Sequence, residues 1–384
     1  MLAKYCVAIK RIKQILIFLL SVIAALLLFI NLLLNFPPIQ TWLAHRAASY
    51  VSAKLHAKVQ IGKVNFEFLK KMVLQDIYIE DLHKDTLFFA KSLKLDIGAL
   101  NFDKHTLIAN DIIIDQPKVH FYYYKGDSDI SLQFIIDALT PKTKDTSHTK
   151  KARWDINVGS LVLNDADFMY QIQDDTSTNT GIKFDDMRVH HIYLRATDIH
   201  LPNDTLRGTI ENISATEQSG FRLDKFSCYV KLSSTLMQLN ALNIETPQTK
   251  ISTDLIFRYS RFPDFFDFLN KVDMQASFRE SKVCFEDLAY FGHALYGVNN
   301  CLTLSGQYSG KINKLKGRNM IISWGNTFLR GDAALQGLPD IDRTLMKINI
   351  TRLITSKADV EALPIPPFNK HEHIKLPDNF TTLG

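Results

Sequence analysis

The sequence predicts a predominantly all-β protein behind an N-terminal transmembrane helix, with an amphipathic helix between the two and a few short helices further on. Three observations predict this. An uninterrupted apolar run lies near the N-terminus, short segments of period-2 alternation succeed one another from about residue 57, and no long stretch of period 3.6 intervenes. Composition sets the bounds. With 384 residues the chain allows two or three domains at ~150 residues each. An apolar fraction of 46% beside 22% charged excludes a disordered chain, and Gly 16 with Pro 12 excludes a collagen-like one. The 45 Lys and Arg against 40 Asp and Glu leave +5, too balanced for a basic nucleic-acid face, so no nucleic-acid partner is expected. Phe 25 and Tyr 13 suit strands.

The anchor comes first. No ionisable side chain occurs between Lys13 and His45, and Ile15 to Leu34 is broken only by Ser21 and Asn31. At ~1.5 Å per residue, the run spans ~30 Å, the thickness of a hydrocarbon core. Ile15, Leu19, Leu26, Phe29 and Leu34 mark its length. Lys4, Lys10, Arg11 and Lys13 precede it, and no acidic residue appears before Glu67. This places residues 1–14 in the cytoplasm, 15–36 in the cell inner membrane as a single pass, and the bulk of the chain in the periplasm. The run is longer than the ~7–15 residues of a signal-peptide core, and Asn35-Phe36-Pro37-Pro38 lacks a small-x-small cleavage site. Pro37-Pro38 ends the spanning helix. Residues 39–56 read as the amphipathic helix, with Trp42, Leu43, Tyr50 and Val51 on one side and Gln40, His45 and Lys54 on others. Its rings suit the lipid–water boundary, and the helix serves equally as a cap on the first strands.

Residues 57–140 form a first β segment. Val59, Ile61, Val64, Phe66 and Phe68 sit among polar residues; Ile77, Ile79 and Leu82 come after them, and then Leu93, Leu95 and Ile97 alternate with Lys94 and Asp96. Ile112 to Ile114 and Val119 to Tyr124 continue the pattern, and Ser131 to Leu139 reads as a short helix. Residues 141–153 are a polar linker or loop. Residues 154–384 resume the strands, beginning with Trp154 to Val158, Leu161 to Leu163 and Ile182 to Phe184 and ending with Leu302 to Tyr308, Asn319 to Ser323 and Leu345 to Ile350. Helical turns are expected at Pro263 to Leu269 and Asp287 to Ala294. Residues 61–97, 156–194 and 302–335 share a strand–turn–strand architecture, a weak repeat. Serial short strands without crossover helices predict antiparallel pairing.

Several segments carry a likeness to a known family: the anchor with Pro37-Pro38, LHAKVQIGKVNFEF (55–68), LQDIYIED (74–81), DTLFFAKSLKLDI (85–97), GFRLDKFSCYV (220–230) and LNALNIETPQTKI (239–251). In these the chain resembles the N-terminal portion of the AsmA-like family, most closely its TamB branch in Bacteroidota, the inner-membrane component of the translocation and assembly module. The resemblance implies a long, twisted, taco-like β-groove reaching from the inner membrane towards the outer one. It also implies a role in phospholipid transport or in assembly and secretion of outer-membrane proteins. The partners implied are phospholipid or other acyl-chain cargo and an outer-membrane barrel assembly protein. Members are far longer, and Asn379 to Gly384 reads as the lead-in to a further strand, so a continuation is expected.

An amphipathic strand series can serve as an open trough or close into a two-sheet sandwich, and alternation alone leaves both open. In the trough reading, Ile61, Phe66, Leu93, Leu95, Ile97, Ile156, Val158, Leu302 and Leu304 line the apolar side. A ~16-carbon tail lying there gains on the order of 10 kcal/mol at about 0.8 kcal/mol per CH₂. Bond chemistry has no signature. G-x-S-x-G, the phosphate-binding G-x-x-x-x-G-K-[ST] and H-E-x-x-H are all absent, so neither an enzyme nor a cofactor is expected. His190-His191 sits on a strand, where neighbours face opposite ways, and His371-Glu372-His373 comes after Pro364, Pro366 and Pro367 in a solvated loop; no metal site is assigned to either. Asp174-Asp175 and Asp185-Asp186 read as turn formers. Of the four cysteines, Cys6 is cytoplasmic in this topology; Cys284 and Cys301 could close a loop in an oxidising compartment, but the exported cysteines number three, which is odd, so buried free thiols are the default for all of them.

Overall fold

The computed structural model describes residues 36–67, 71–101, 103–139, 154–173, 181–202, 205–292, 295–338, 343–363, 372–379 and 382–383. Strands account for 62% and helices for 14%, so the molecule is predominantly β. The anchor, with Ile15, Leu19, Leu26, Phe29 and Leu34, lies outside the described residues, as do Asp174-Asp175 and the linker 141–153. No helix among the described residues is long and apolar enough to cross a membrane.

Helix α1 (Pro37–Leu55) starts on its two prolines, whose missing N–H groups cost nothing in a first turn, and ends with His56 in the left-handed region. It lies along β1 (Val59–Glu67), with the His45 ring nitrogen 3.3 Å from the Gly62 carbonyl. Its faces differ from expectation. Gln40 and Ala48 are buried, whereas Trp42, Tyr50 and Val51 are exposed. Small side chains let the helix approach the strand closely, so the large rings are left outside.

β1 pairs with β2 (Lys71–Glu80), which pairs with β3 (Thr86–Asn101), all antiparallel. β4 (Thr106–Asp115) and β5 (Lys118–Tyr123) then share one lane, interrupted at Gln116-Pro117; β4 runs along the second half of β3 and β5 meets Phe88 and Phe89. After α2 (Gln133–Leu139) the chain returns as β6 (Asp155–Ile172), which pairs parallel with both β4 and β5. Here the antiparallel expectation is corrected. The connection between β5 and β6, carrying α2, is long enough for the crossover that a parallel pair needs. The same ladder makes the segments on either side of residues 141–153 one continuous sheet.

From β6 the meander is regular and antiparallel: β7 (Asp186–Leu201), β8 (Leu206–Glu217), β9 (Arg222–Leu232), β10 (Leu236–Glu245) and β11 (Lys250–Arg258). A 3₁₀ turn (Phe262–Asp267) and α3 (Phe268–Lys271) lead to β12 (Asp273–Cys284), and α4 (Phe285–Ala289) leads to β13 (Cys301–Lys311). β14 (Lys314–Trp324), β15 (Thr327–Gln336) and β16 (Leu345–Ser356) complete the ladder, with α5 (Lys357–Glu361) and the two-residue β17 (Thr382–Leu383) after it. Ile182 to Phe184 is a turn, not a strand. The seventeen strands join one sheet, and there is no second sheet among the described residues. With β4 and β5 in one lane, β1 to β16 fill fifteen lanes, roughly 70 Å at ~4.8 Å each.

The strands carry a series of bulges. Asp165, His191, Ala241 and Asn319 have positive φ inside strands, next to register shifts in the β6–β7, β7–β8, β9–β10, β10–β11 and β14–β15 ladders, and Asp76 in β2 has positive φ with no register shift beside it. Asp, Asn and His tolerate this conformation better than other side chains. At Ala241 the bulged N–H donates to Asp254 Oδ1 at 2.7 Å, and at Asn319 it donates to Asp332 Oδ1 at 2.8 Å. A bulge adds a residue to one strand and bends it, so the recurrence curves the sheet across its width.

Candidate functional site

Strand register converts the alternation into rows. One runs Val64–Leu74–Leu93–Ile114–Leu163–Leu194–Ile213–Phe226–Ile244–Ile251, apolar in every lane from β1 to β11. Beside it lies Met72–Leu95–Ile112–Leu161–Ala196. Ile97–Ala109–Val158–Ile199 continues, through Gly208 packed on Ile199, to Val230–Leu239–Leu255–Ala276–Tyr308–Gly317–Ala333–Ile348 at β16. Another row joins Leu232, Met237, Phe257, Met274, Gly310, Leu315, Leu335 and Met346. An apolar face therefore extends from the first lane to the last.

Of the nine residues picked from the sequence, four fall on these rows. Leu93, Leu95, Ile97 and Val158 are named above. Ile156 lies between Leu107 and Leu201, and Ile61 opposite Ile77. Leu302 faces Val283, and Leu304 lies between Ser281 and Ile322. The Phe66 backbone pairs with Met72. Sequence reasoning missed the members from Leu163 to Ile251 of the row that starts at Val64, because each is one letter in its own strand and only register aligns them.

The rows are not sealed. In the row from Val64 to Ile251 every residue except Val64 is only half-buried, whereas the row that reaches β16 also holds the buried Ala109, Val158, Leu239 and Ala276. A buried apolar cluster of the described residues is small, Cys228, Leu239 and Leu242, with Ile210, Phe226 and Leu255 packed round it. Burial there pushes the free Cys228 thiol up to about 11. At β16 the face is open: Met346, Ile348, Ile350 and Leu353 are all exposed.

The opposite face is polar and cross-linked. Asp115 accepts from Asn164 Nδ2 at 2.8 Å, Ser92 Oγ at 2.6 Å and Lys94 Nζ at 2.9 Å; these donors, Asn164 foremost, hold its carboxyl down at about 2. The N–H of Ala241, with Arg279 behind it, lowers Asp254 likewise. His190 and His191 correct an expectation. The bulge at His191 turns both rings to the polar side, where His190 Nδ1 lies 3.1 Å from Asp167 and His191 Nδ1 2.9 Å from Asp165. Each imidazole thus has its own carboxylate. Among the described residues no group of three or more His, Cys, Asp or Glu is placed to hold a metal ion. Asp186 pairs with Arg188 at a strand start.

Segments at the strand ends fold back over neighbours. Cys284 and Cys301 are disulfide-bonded across β12 and β13, closing a strap that carries α4. The strap reaches past β11, β10 and β9. Thr246 Oγ1 donates to Asp287 at 2.6 Å, the Tyr290 and Phe291 rings meet Phe221 with centroids 5.6 and 5.0 Å away, and Ile182 N donates to the Tyr290 carbonyl at 2.8 Å. At the other strand ends Phe265 and Phe268 stand edge-on to Phe257 at 6.1 and 5.3 Å. Compared with protein-family models and with curated proteins, the chain matches none.

Proposed function

We propose that this chain is a non-enzymatic, inner-membrane-anchored periplasmic protein whose apolar sheet face carries phospholipid acyl chains between the envelope membranes. The observation that carries the reading is an apolar row through ten lanes, β1 to β11, half-buried at every position but Val64, on a face that continues to β16. It offers a tail a continuous contact in which no single position is a barrier. The Ile15–Leu34 run and the resemblance to the AsmA-like family, TamB branch, in the segments from residue 55 to 251 support the same reading. That likeness supplies the taco-like groove as the shape the bulged sheet adopts. The test is site-specific photocrosslinking in cells from Leu95, Leu163, Leu194 and Leu304, with Lys94 as the polar-face control. Phospholipid adducts at the four apolar positions and none at Lys94 are expected; no adduct at any of them refutes the proposal.

The free side of β16 favours a second reading, hand-over of extended strands to an outer-membrane barrel assembly protein by edge pairing. Crosslinks from Lys347 or Asn349 to barrel proteins in place of lipid would select it. An anchored binding module without conduit activity predicts neither adduct.

A further inference from the structure

The exposed side of α1 is built to one pattern. Counting by four from Trp42 gives Arg46, Tyr50 and Lys54, one ridge along the helix with aromatic and basic side chains in turn. All four are exposed, Trp42 at 65% and Tyr50 at 73%. The side against β1 holds Gln40, Ala44, Ala48 and Ser52, buried or half-buried. The ridge thus points away from the sheet. Phe36, 55% exposed, precedes the helix, and no acidic side chain occurs on α1 or anywhere before Glu67.

Chain length outside the described residues names the occupant. The apolar run ends at Leu34, with two residues between it and Pro37, where α1 begins. The three peptide steps from Leu34 to Pro37 span at most about 11 Å, so the start of α1 stays beside the surface of the bilayer that the run crosses. Rings of mixed polarity collect at that depth, and basic side chains beside them are drawn to anionic headgroups.

We infer that α1 lies in the headgroup layer with Trp42, Arg46, Tyr50 and Lys54 turned into it, and so seats the β1 end of the apolar face on an anionic phospholipid surface. This rests on the anchoring in the proposed function. It adds that the β1 end, with the half-buried Val59 and Ile61, is where an acyl chain leaves the bilayer for the sheet.

The experiment uses the full chain in vesicles of phosphatidylethanolamine and phosphatidylglycerol. Trp42, Trp154 and Trp324 are its tryptophans, so Trp154→Phe with Trp324→Phe leaves Trp42 as sole reporter. Lipid brominated near the glycerol should quench Trp42 about twofold more than lipid brominated near the tail end. Trp42→Phe in the otherwise unaltered chain should remove that quenching. Arg46→Glu with Lys54→Glu should weaken it in these vesicles and not in neutral ones. Carbonate extraction separates this inference from the anchor. A chain that stays with the vesicles while Trp42 emits as in water and is not quenched overturns the inference and leaves the anchor standing. Quenching by the deep label alone also overturns it. Release by carbonate overturns the anchor; shallow quenching that survives still supports the helix contact, and its loss overturns both.

Discussion

Asp115 shows how one polar side chain braces this sheet from outside. It sits at the end of β4, where β3 and β6 flank it, and takes donors from both: Ser92 and Lys94 on one side, Asn164 on the other. A carboxyl lowered in the folded state to about 2 from its usual 3.8 adds stability that is present above pH ~4 and lost as pH falls towards 2. With the side chain 27% exposed, solvent screening reduces the contribution to about 1 kcal/mol. Asp115→Asn should therefore unfold at lower urea than the parent at pH 6, and the gap should close by pH 2. A constant gap across that range would mean that packing, not charge, is lost. In the sequence Asp115 is just the residue after the Ile112–Ile114 triplet, and its three donors come from other strands. His190-His191 shows the same limit from the other side, since alternation predicts opposite faces and a bulge overrides it.

Strand existence was legible because alternation is local, and most expected strands sit within a few residues of their observed bounds. Ser131 to Leu139, expected as a helix, contains α2, and the turns near Pro263 and Asp287 became the 3₁₀–α3 and α4 segments. Pairing order was not legible at β4, β5 and β6, where a parallel seam depends on where a long connection returns. The bulges were equally silent, for Asp, His or Asn inside a strand looks like an ordinary outward residue. The strap is the element whose role rests on a covalent link. Closing 17 residues removes about 3 kcal/mol of unfolded-chain entropy by the loop-length relation. Cys284→Ser with Cys301→Ser should lower the denaturation midpoint accordingly. It should also speed hydrogen exchange at Ile182, whose N–H is held by the Tyr290 carbonyl, before exchange rises at β13. Simultaneous loss at both sites would make the strap part of the global fold and not a local cover.

At the scale of the whole molecule, one sheet must do what two layers do in most β proteins. Its apolar rows mix half-buried and sealed positions, so stability should depend on the sealed ones. Leu242, 2% exposed in the small cluster with Cys228 and Leu239, should cost about 3 kcal/mol when cut to Ala, while Leu194, half-buried in the row from β1 to β11, should cost about 1. Chemical denaturation of the two variants side by side checks this; equal losses would mean that the face is packed as tightly as an interior. The candidate face itself was partly legible: single members such as Leu93 and Ile156 could be chosen by alternation, but the rows exist only once register is known.

β16 has twelve residues of backbone, and among the described residues only Thr355 and Ser356 find a partner beyond it, in β17. Amide and carbonyl groups along such a margin are a template on which an extended polypeptide can add, and Lys347 and Arg352 are the charges along the strand that oppose a wrong one. In the isolated chain this margin is where pairing between copies is expected to begin, and light scattering against concentration would register it.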